Sequence, residues 1–399
     1  MKKYRIGELG DIFTGNTPSK KNNEFYESED IMFIKPDILS SNITIIKQAN
    51  EYLSEKAREK ARIIPKGSLL VSCIGNIGKL GINIEEVAFN QQINAIVHNS
   101  KISSSKYLAY LLKYNQKKLE SIANAPVVPI INKNQFSNFE LSIHEELEIQ
   151  SKIVEILDKA QELIDKRKEQ IKTLDELVKS QFIEMFGDPI NNPMGWQVKK
   201  LKDISTKILS GNTPKGGSEV YVDSGIMFFR SQNVWKNKLV LDDIAYIDED
   251  THNKMLKSSL KHRDILITKT GRINTENSSL GRAAMYLGKD DKANINGHVY
   301  LIRLKEEILN EFILFILTSK EYRGYIRSVC VGGIDKRQLN KEHIEDFPII
   351  FPPIEQQKEF VTYVKQVDKL KFEMEKSLKE LEDNFNALMQ KAFNGELFN

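Results

Sequence analysis

Two stretches of the chain carry apolar side chains at heptad spacing. Leu157, Ile164, Ile171, Val178 and Met185 recur every seven residues, with Ile153, Ile156, Ala160, Leu163, Leu174 and Leu177 on the flanking positions of one apolar face. Val367, Met374, Leu381 and Leu388 repeat the step in the second, beside Val364, Leu378 and Phe385. Each pattern has helix punctuation. The first stops at Gly187-Asp188-Pro189, a glycine followed by a proline that cannot continue a helix. The second opens after Pro352-Pro353 and ends near Asn394-Gly395. About 40 residues at a rise of 1.5 Å predict helices roughly 60 Å long. Two such stripes, separated by a whole domain, most simply pack on each other as an antiparallel intramolecular coiled coil. The other arrangement is an intermolecular coil in a homodimer.

The two blocks outside these helices have mixed patterns. Short strands are predicted at Ile31 to Ile34, Ser68 to Ile74 and Ile93 to Val97, with a helix at Ser105 to Leu119. The later block has strands at Ile226 to Arg230, Ile265 to Thr268 and Val299 to Leu304, with a helix at Asn310 to Tyr325. The blocks also share words. Leu9 to Ile12 and Leu201 to Ile204 both read Leu-x-Asp-Ile, and Gly15-Asn16-Thr17-Pro18 returns as Gly211-Asn212-Thr213-Pro214. Ser68–Ser72 answers Asp264–Thr268, and Ile131-Asn132-Lys133 is matched to Ile334-Asp335-Lys336. A period this long indicates a duplicated unit of one domain plus one helix, far larger than a solenoid repeat.

Charge sharpens the picture once divided along the chain. Residues 1–144 hold 19 Lys and Arg against 14 Asp and Glu, and residues 196–350 hold 25 against 20, so each block is net basic. The helical stretches are not: 145–186 has 7 against 11 and 355–392 has 7 against 8. Positive charge therefore resides in the two blocks, where it can face phosphates; the other reading is a set of scattered, solvated lysines. Cys73 and Cys330 lie on apolar stretches of different copies, which suits buried thiols in a reducing compartment. No apolar run approaches the length of a membrane span and no signal-type core follows Met1, so the expected location is cytoplasmic, without a membrane partner.

Catalytic signatures fail one by one. Around Gly78-Lys79 the first glycine of a phosphate-binding loop is replaced by Cys73 and its terminal Ser/Thr by Leu80. No Gly-x-Gly-x-x-Gly occurs, and Asn192-Pro193-Met194-Gly195 and Phe351-Pro352-Pro353-Ile354 only approximate the Asn/Asp-Pro-Pro-aromatic loop of an amino-methyltransferase. No Glu is followed two positions later by Lys, as a common metal-nuclease site requires, and the six histidines form no zinc-type cluster. No catalytic residue and no metal site is expected.

Reading DNA needs Arg or Lys for guanine and Asn or Gln for adenine, presented on loops, with Lys, Ser and Thr on phosphates. The interstrand loops hold that set. The candidates in the first copy are Lys20, Lys21, Lys35, Ser72, Asn76, Lys79, Gln91 and Gln92. Those in the second are Arg230, Gln232, Asn233, Lys269, Arg272, Asn274, Arg282, His298, Lys336 and Arg337. The copies differ most here: Gly75-Asn76-Ile77-Gly78-Lys79 faces the longer run from Thr270 to Glu276, and Gln91-Gln92 faces Gly297-His298. Two different half-sites would follow.

The ordered repetition resembles a known family. Tyr4 to Ile12 and Trp196 to Ile204 each open a half, Gly-Asn-Thr-Pro follows in both, and Ile354-Glu355-Gln356-Gln357 opens the second helix. Phe186-Gly187-Asp188-Pro189 and Phe393-Asn394-Gly395-Glu396-Leu397 close the two. Over essentially its whole length the chain is similar to the specificity subunit of Type I restriction-modification systems. One departure is Leu147-Glu148-Ile149-Gln150, where the second copy has Ile-Glu-Gln-Gln. The resemblance implies an α+β fold with two similar mixed α/β target-recognition domains, separated by two long helices packed as an antiparallel coiled coil in a pseudo-twofold repeat. The expected boundaries are 1–144 for the first domain, 145–187 for the first spacer helix, 188–350 for a linker and the second domain, and 351–399 for the second helix and tail. It also implies a bipartite, asymmetric target on double-stranded DNA and two adenine-N6 methyltransferase subunits that use S-adenosylmethionine. Restriction subunits using ATP and Mg join optionally, and this chain binds no cofactor itself. The rival readings are a free-standing DNA-binding regulator and a cryptic DNA methyltransferase or nuclease.

Overall fold

The computed structural model describes residues 1–123, 128–275 and 277–398; Glu276, the end of the longer loop, and Asn399, the end of the tail, lie outside them. The chain divides into two units, Met1–Gln170 with Met374–Asn399, and Ile171–Glu373.

The first unit holds a five-stranded sheet in the order Gly10–Thr14, Ile93–His98, Leu69–Ser72, Leu80–Asn83, Ile43–Ile46. A four-stranded sheet follows the order Tyr52–Leu53, Ile31–Ile34, Val87–Phe89, Ile63–Ile64. Pairing is antiparallel except between Ile43–Ile46 and Leu80–Asn83 and between Ile31–Ile34 and Val87–Phe89. Successive side chains of a strand point to opposite faces, so each strand feeds two cores. Leu69 and Val71 join Tyr107, Leu108, Leu111 and the long helices, whereas Leu70 joins Met32, Ile34, Phe89 and Ala95.

The second unit repeats the central order with Ser205–Ser210, Val299–Leu304, Ile265–Thr268 and Ala283–Met285. Its second sheet is Ala245–Ile247, Ile226–Phe229, Ala293–Ile295, again with one parallel pair. Each unit is closed by a short antiparallel pair, Lys2–Arg5 on Glu140–Ile143 and Val198–Lys200 on Pro348–Ile350.

The long helices run Leu147–Phe186 and Ile354–Asn394. Each unit contains part of both, and within each unit they pair antiparallel. In the first, Ile153, Leu157 and Ile164 share a core with Phe385, Met389, Ala392 and Phe393, and Lys168 meets Glu382 at 2.8 Å. In the second, the Phe182 and Phe360 ring centroids lie 5.3 Å apart, and Lys371 Nζ donates to Asp175 at 2.7 Å. The apolar stripe is narrower than its heptads suggest: Leu163 and Leu177 are exposed.

Three further expectations need correction. The helix expected over Ser105 to Leu119 breaks at Asn115, whose side chain donates back to the Leu111 carbonyl, giving Ser105–Tyr114 and Gln116–Ser121. Its counterpart breaks at Ser319, whose hydroxyl accepts from the Tyr322 amide at 3.1 Å and so caps a new helix, Lys320–Val329. Ile131-Asn132-Lys133 corresponds in space to Leu339-Asn340-Lys341, not to Ile334-Asp335-Lys336. The Ile131 amide donates to Cys73 O at 2.9 Å and the Leu339 amide to Lys269 O at 2.9 Å, and Asn132 and Asn340 each stand at a helix N-cap.

Both long helices start on a buried glutamine. Gln150 donates to the carbonyls of Lys101 and His144 and accepts from the Ser103 amide. Gln357 donates to Pro352 O at 2.8 Å, and its Oε1 has no partner among the described residues. The departure at Ile149 leaves this glutamine in place, and Ile149 itself packs against the core.

Candidate nucleic-acid interface

The repeated Gly-Asn-Thr-Pro sits where the backbone allows no side chain. A Cβ on Gly15 would lie 2.3 Å from the carbonyl oxygens of Phe89 and Asn90, and one on Gly211 would lie 2.1 Å from Ile295 O. Glycine is therefore required by close approach. Asn16 then ties two segments together, donating to Lys60 O and accepting from the Arg62 amide, both at 2.6 Å.

Each copy frames the loop that follows its matched central strand, Leu69–Ser72 or Ile265–Thr268, with the same bonds. In the first, the Ser72 amide donates to Lys79 O, Gly78 N to Ser72 O, and the Ser72 hydroxyl accepts from Lys79 N at 2.9 Å. In the second, Thr268 N donates to Arg282 O, Gly281 N to Thr268 O, and the Thr268 hydroxyl accepts from Arg282 N at 2.9 Å. The adjoining loop is equally matched. Gln92 N donates to Asn90 Oδ1 at 3.1 Å and His298 N to Asn296 Oδ1 at 3.0 Å, while the carbonyls of Gln92 and His298 accept from Cys73 and Lys269 at 2.8 Å. The frame is thus common, and only the content between Ser72 and Lys79, or Thr268 and Arg282, differs.

In the second copy that content is ordered by a three-stranded sheet. Thr270–Arg272 pairs with Lys336–Gln338, which pairs with Val331–Gly332, so Arg272 lies opposite Lys336 and Gly271 opposite Arg337. Lys269, Arg272, Asn274, Lys336 and Arg337 therefore all lie on or next to this small sheet, with Lys336 and Arg337 on its central strand. Arg272 and Asn274 are exposed, as is Lys336, and Arg272 also meets Asp335 at 3.3 Å. Lys269 is half-buried, with its ammonium 5.8 Å from the Tyr300 ring centroid. Arg337 donates to the Gly333 and Cys330 carbonyls, bracing the sheet.

Other candidates are held inside their loops. Ser72 and Asn233 are buried. Ser72 also donates to Asn76 O, and Asn233 donates to Val240 O and Asp243 O while accepting from Arg230 N. Arg230 and Gln232 both engage Asp243, and these bonds, Gln232 first, hold that carboxyl below the ordinary aspartate range. Arg282 stacks 3.8 Å from the Trp235 ring centroid and donates to the Ser278 and Asn277 carbonyls. Lys35 is ion-paired to Glu51. Gln91 accepts from the Thr17 hydroxyl at 2.7 Å, and Gln92 from Asn90 Nδ2 at 2.9 Å. Lys20, Lys21, Asn76 and His298 are exposed, and Lys79 is half-buried.

Sequence reading missed the hairpin Val234–Trp235 with Lys238–Leu239, which supports Arg282 and has no match among the described residues of the first copy. Asn237-Lys238, with Asn237 at a φ of 56°, was its only local signal. Cys73 is buried, accepts from Asn94 Nδ2, and burial pushes its thiol up to about 12, so it stays protonated at neutral pH. Among the described residues no group of three His, Cys, Asp or Glu could hold a metal, and no helix is long and apolar enough to cross a membrane.

Comparison with known proteins agrees with the repeat. The Type I restriction modification DNA specificity domain matches residues 1–174 and again 193–383. The Type I restriction enzyme MjaIX specificity subunit of Methanocaldococcus jannaschii is 26% identical, over 98% of this chain and 92% of its own length. Among solved structures, one described as showing complex assembly and conformational transition of the type I R-M system aligns with a TM-score of 0.64 at 19% identity, covering 99% of this chain and 98% of the other. The S subunit of a Type-I restriction-modification system from M. genitalium aligns at 0.52 and 15% identity, over 98% and 96%. Two tandem matches spanning both duplicated modules place the chain in the Type I restriction-modification DNA specificity family.

Proposed function

We propose that this chain reads a bipartite, asymmetric sequence on double-stranded DNA, one half-site per module, and presents it to the catalytic subunits of a Type I restriction-modification complex. The modules are the blocks 1–144 and 188–350, with 145–187 and 351–399 as the helical spacers between them. One observation carries this reading: the same hydrogen-bonded frame, Ser72 to Lys79 and Thr268 to Arg282, encloses different residues in the two copies. A frame conserved within one chain around unlike contents is what two readers of unlike sequences require.

Within each module the exposed side chains meet the DNA. Lys20, Lys21, Asn76 and Gln91, with the half-buried Lys79, serve the first half-site, and Arg272, Asn274, His298 and Lys336, with the half-buried Lys269, the second. Ser72, Gln92, Asn233, Arg230, Gln232, Lys35, Arg282 and Arg337 shape the loops that carry these groups. The chain works in the cytoplasm with two methyltransferase subunits, which supply S-adenosylmethionine chemistry on adenine N6, and optionally with restriction subunits that use ATP and Mg.

The test is to map methylated adenines in DNA modified by the assembled complex, before and after replacing residues 269–281 with another sequence of equal length. The expected result is a split recognition sequence whose second half alone changes. Methylation without a split sequence, or a change in both halves, would refute the assignment.

A further inference from the structure

We propose that Ile334 reads the C5-methyl group of a thymine in the second half-site, an inference that rests on the reading above. Ile334 is 90% exposed, the most exposed large hydrophobic side chain among the described residues. A singly exposed isoleucine is ordinary on a protein surface. Its position is not. It occupies the tip of the hairpin formed by Val331–Gly332 and Lys336–Gln338, in which Gly332 lies opposite Arg337.

The tip is held in place from several sides. Gly332 has a φ of 135°, and a Cβ there would lie 2.8 Å from Lys336 O, so the turn depends on glycine. The Ile273 amide donates to Asp335 O at 3.0 Å, Arg272 meets the Asp335 carboxylate at 3.3 Å, and Arg337 donates to Gly333 O at 3.3 Å. Isoleucine is therefore presented outward by a braced turn.

Charge names the occupant. Arg272 and Lys336, both exposed, face each other across the neighbouring ladder, Thr270–Arg272 on Lys336–Gln338, and with Asp335 beside them leave one net positive charge next to the tip, which suits a polyanion. A two-stranded ribbon fits the major groove, and the one apolar feature on a base edge there is the thymine methyl. Isoleucine can neither donate nor accept a hydrogen bond, so a methyl is what it can select. The first module offers a parallel: Val128 and Ile130 are exposed in the segment whose Pro129 carbonyl accepts from Gly75 N, where Arg337 stands opposite Gly271 in the second.

The experiment uses the complex of this chain with its methyltransferase subunits and duplexes carrying the mapped site, with each thymine of the second half-site replaced in turn by uracil. That exchange removes only the methyl. Wild type is expected to bind one uracil duplex about fourfold more weakly, the weight of one buried methyl group. Ile334→Ala is expected to bind the thymine and uracil duplexes equally, and Ile334→Val to retain most of the difference. A second half-site without thymine on either strand, no uracil-sensitive position, or a sensitivity unchanged in Ile334→Ala would overturn the inference while leaving sequence-selective binding intact. Absence of any sequence selectivity in the wild-type complex would overturn the reading of the chain as well.

Discussion

The loop after Leu69–Ser72 and the loop after Ile265–Thr268 leave equivalent places in corresponding sheets, yet they reach different solutions. The first crosses from Ser72 to Lys79 in a tight turn in which one hydroxyl bonds the chain on both sides. The second uses the same anchor, Thr268, but extends through Arg272 into a three-stranded sheet and rests on Trp235 through Arg282. Stability and selectivity are thereby separated. Ser72 and Thr268 of the frame are buried and bonded, whereas Asn76, Arg272 and Asn274 of the contents are exposed.

That separation can be broken most severely at the helix starts. Gln150→Leu leaves two carbonyls and one amide without partners and is expected to cost about 3 kcal/mol, against about 1 kcal/mol for Gln357→Leu, which loses a single bond. Urea titration followed by hydrogen exchange at the two helix starts would measure both, and equal losses would contradict the difference. Next come the anchors. Ser72→Ala and Thr268→Val each remove the hydroxyl acceptor of a part-buried backbone amide, that of Lys79 or that of Arg282, which keeps a longer bond to Ser279 O at 3.5 Å, and should each cost about 1 to 2 kcal/mol. Similar shifts in melting temperature for the two modules would support a shared frame. The smallest stability effect is expected for Asn76→Ala and Asn274→Ala, both exposed, at less than about 0.5 kcal/mol. Each should nonetheless relax one position of its own half-site in the methylation map.

The larger architecture was legible because it is periodic. Heptads mark both long helices, and repeated words mark the two modules. Local polar bonds were not legible in the same way. Asn115 and Ser319 end helices through side-chain bonds that apolar spacing does not reveal, and Leu163 and Leu177 look like core residues until burial shows otherwise. Among the site candidates, Ser72 and Asn233 have the right chemistry for DNA but spend it on their own turns. The slip between Ile131-Asn132-Lys133 and Ile334-Asp335-Lys336 has a plain cause. Similar letters fell in the turn between Val331–Gly332 and Lys336–Gln338, and the amide bonds to Cys73 and Lys269 fix the true register. Ile334, hidden by that slip as a framework residue, is in fact the tip of the hairpin, and the adjoining Gly332-Gly333 was its one available signal.

The division of the chain also bears on its synthesis. Residues 171–373 form one unit, whereas the other waits for Met374–Asn399. Phe385, Met389, Ala392 and Phe393, which fill the core beside Tyr107 and Leu157, leave the ribosome after everything they must cover. The later-encoded unit can therefore mature first, while the earlier one remains open along an apolar flank until Phe393 has been made. A truncated product would retain an intact second reader and an unsealed first one.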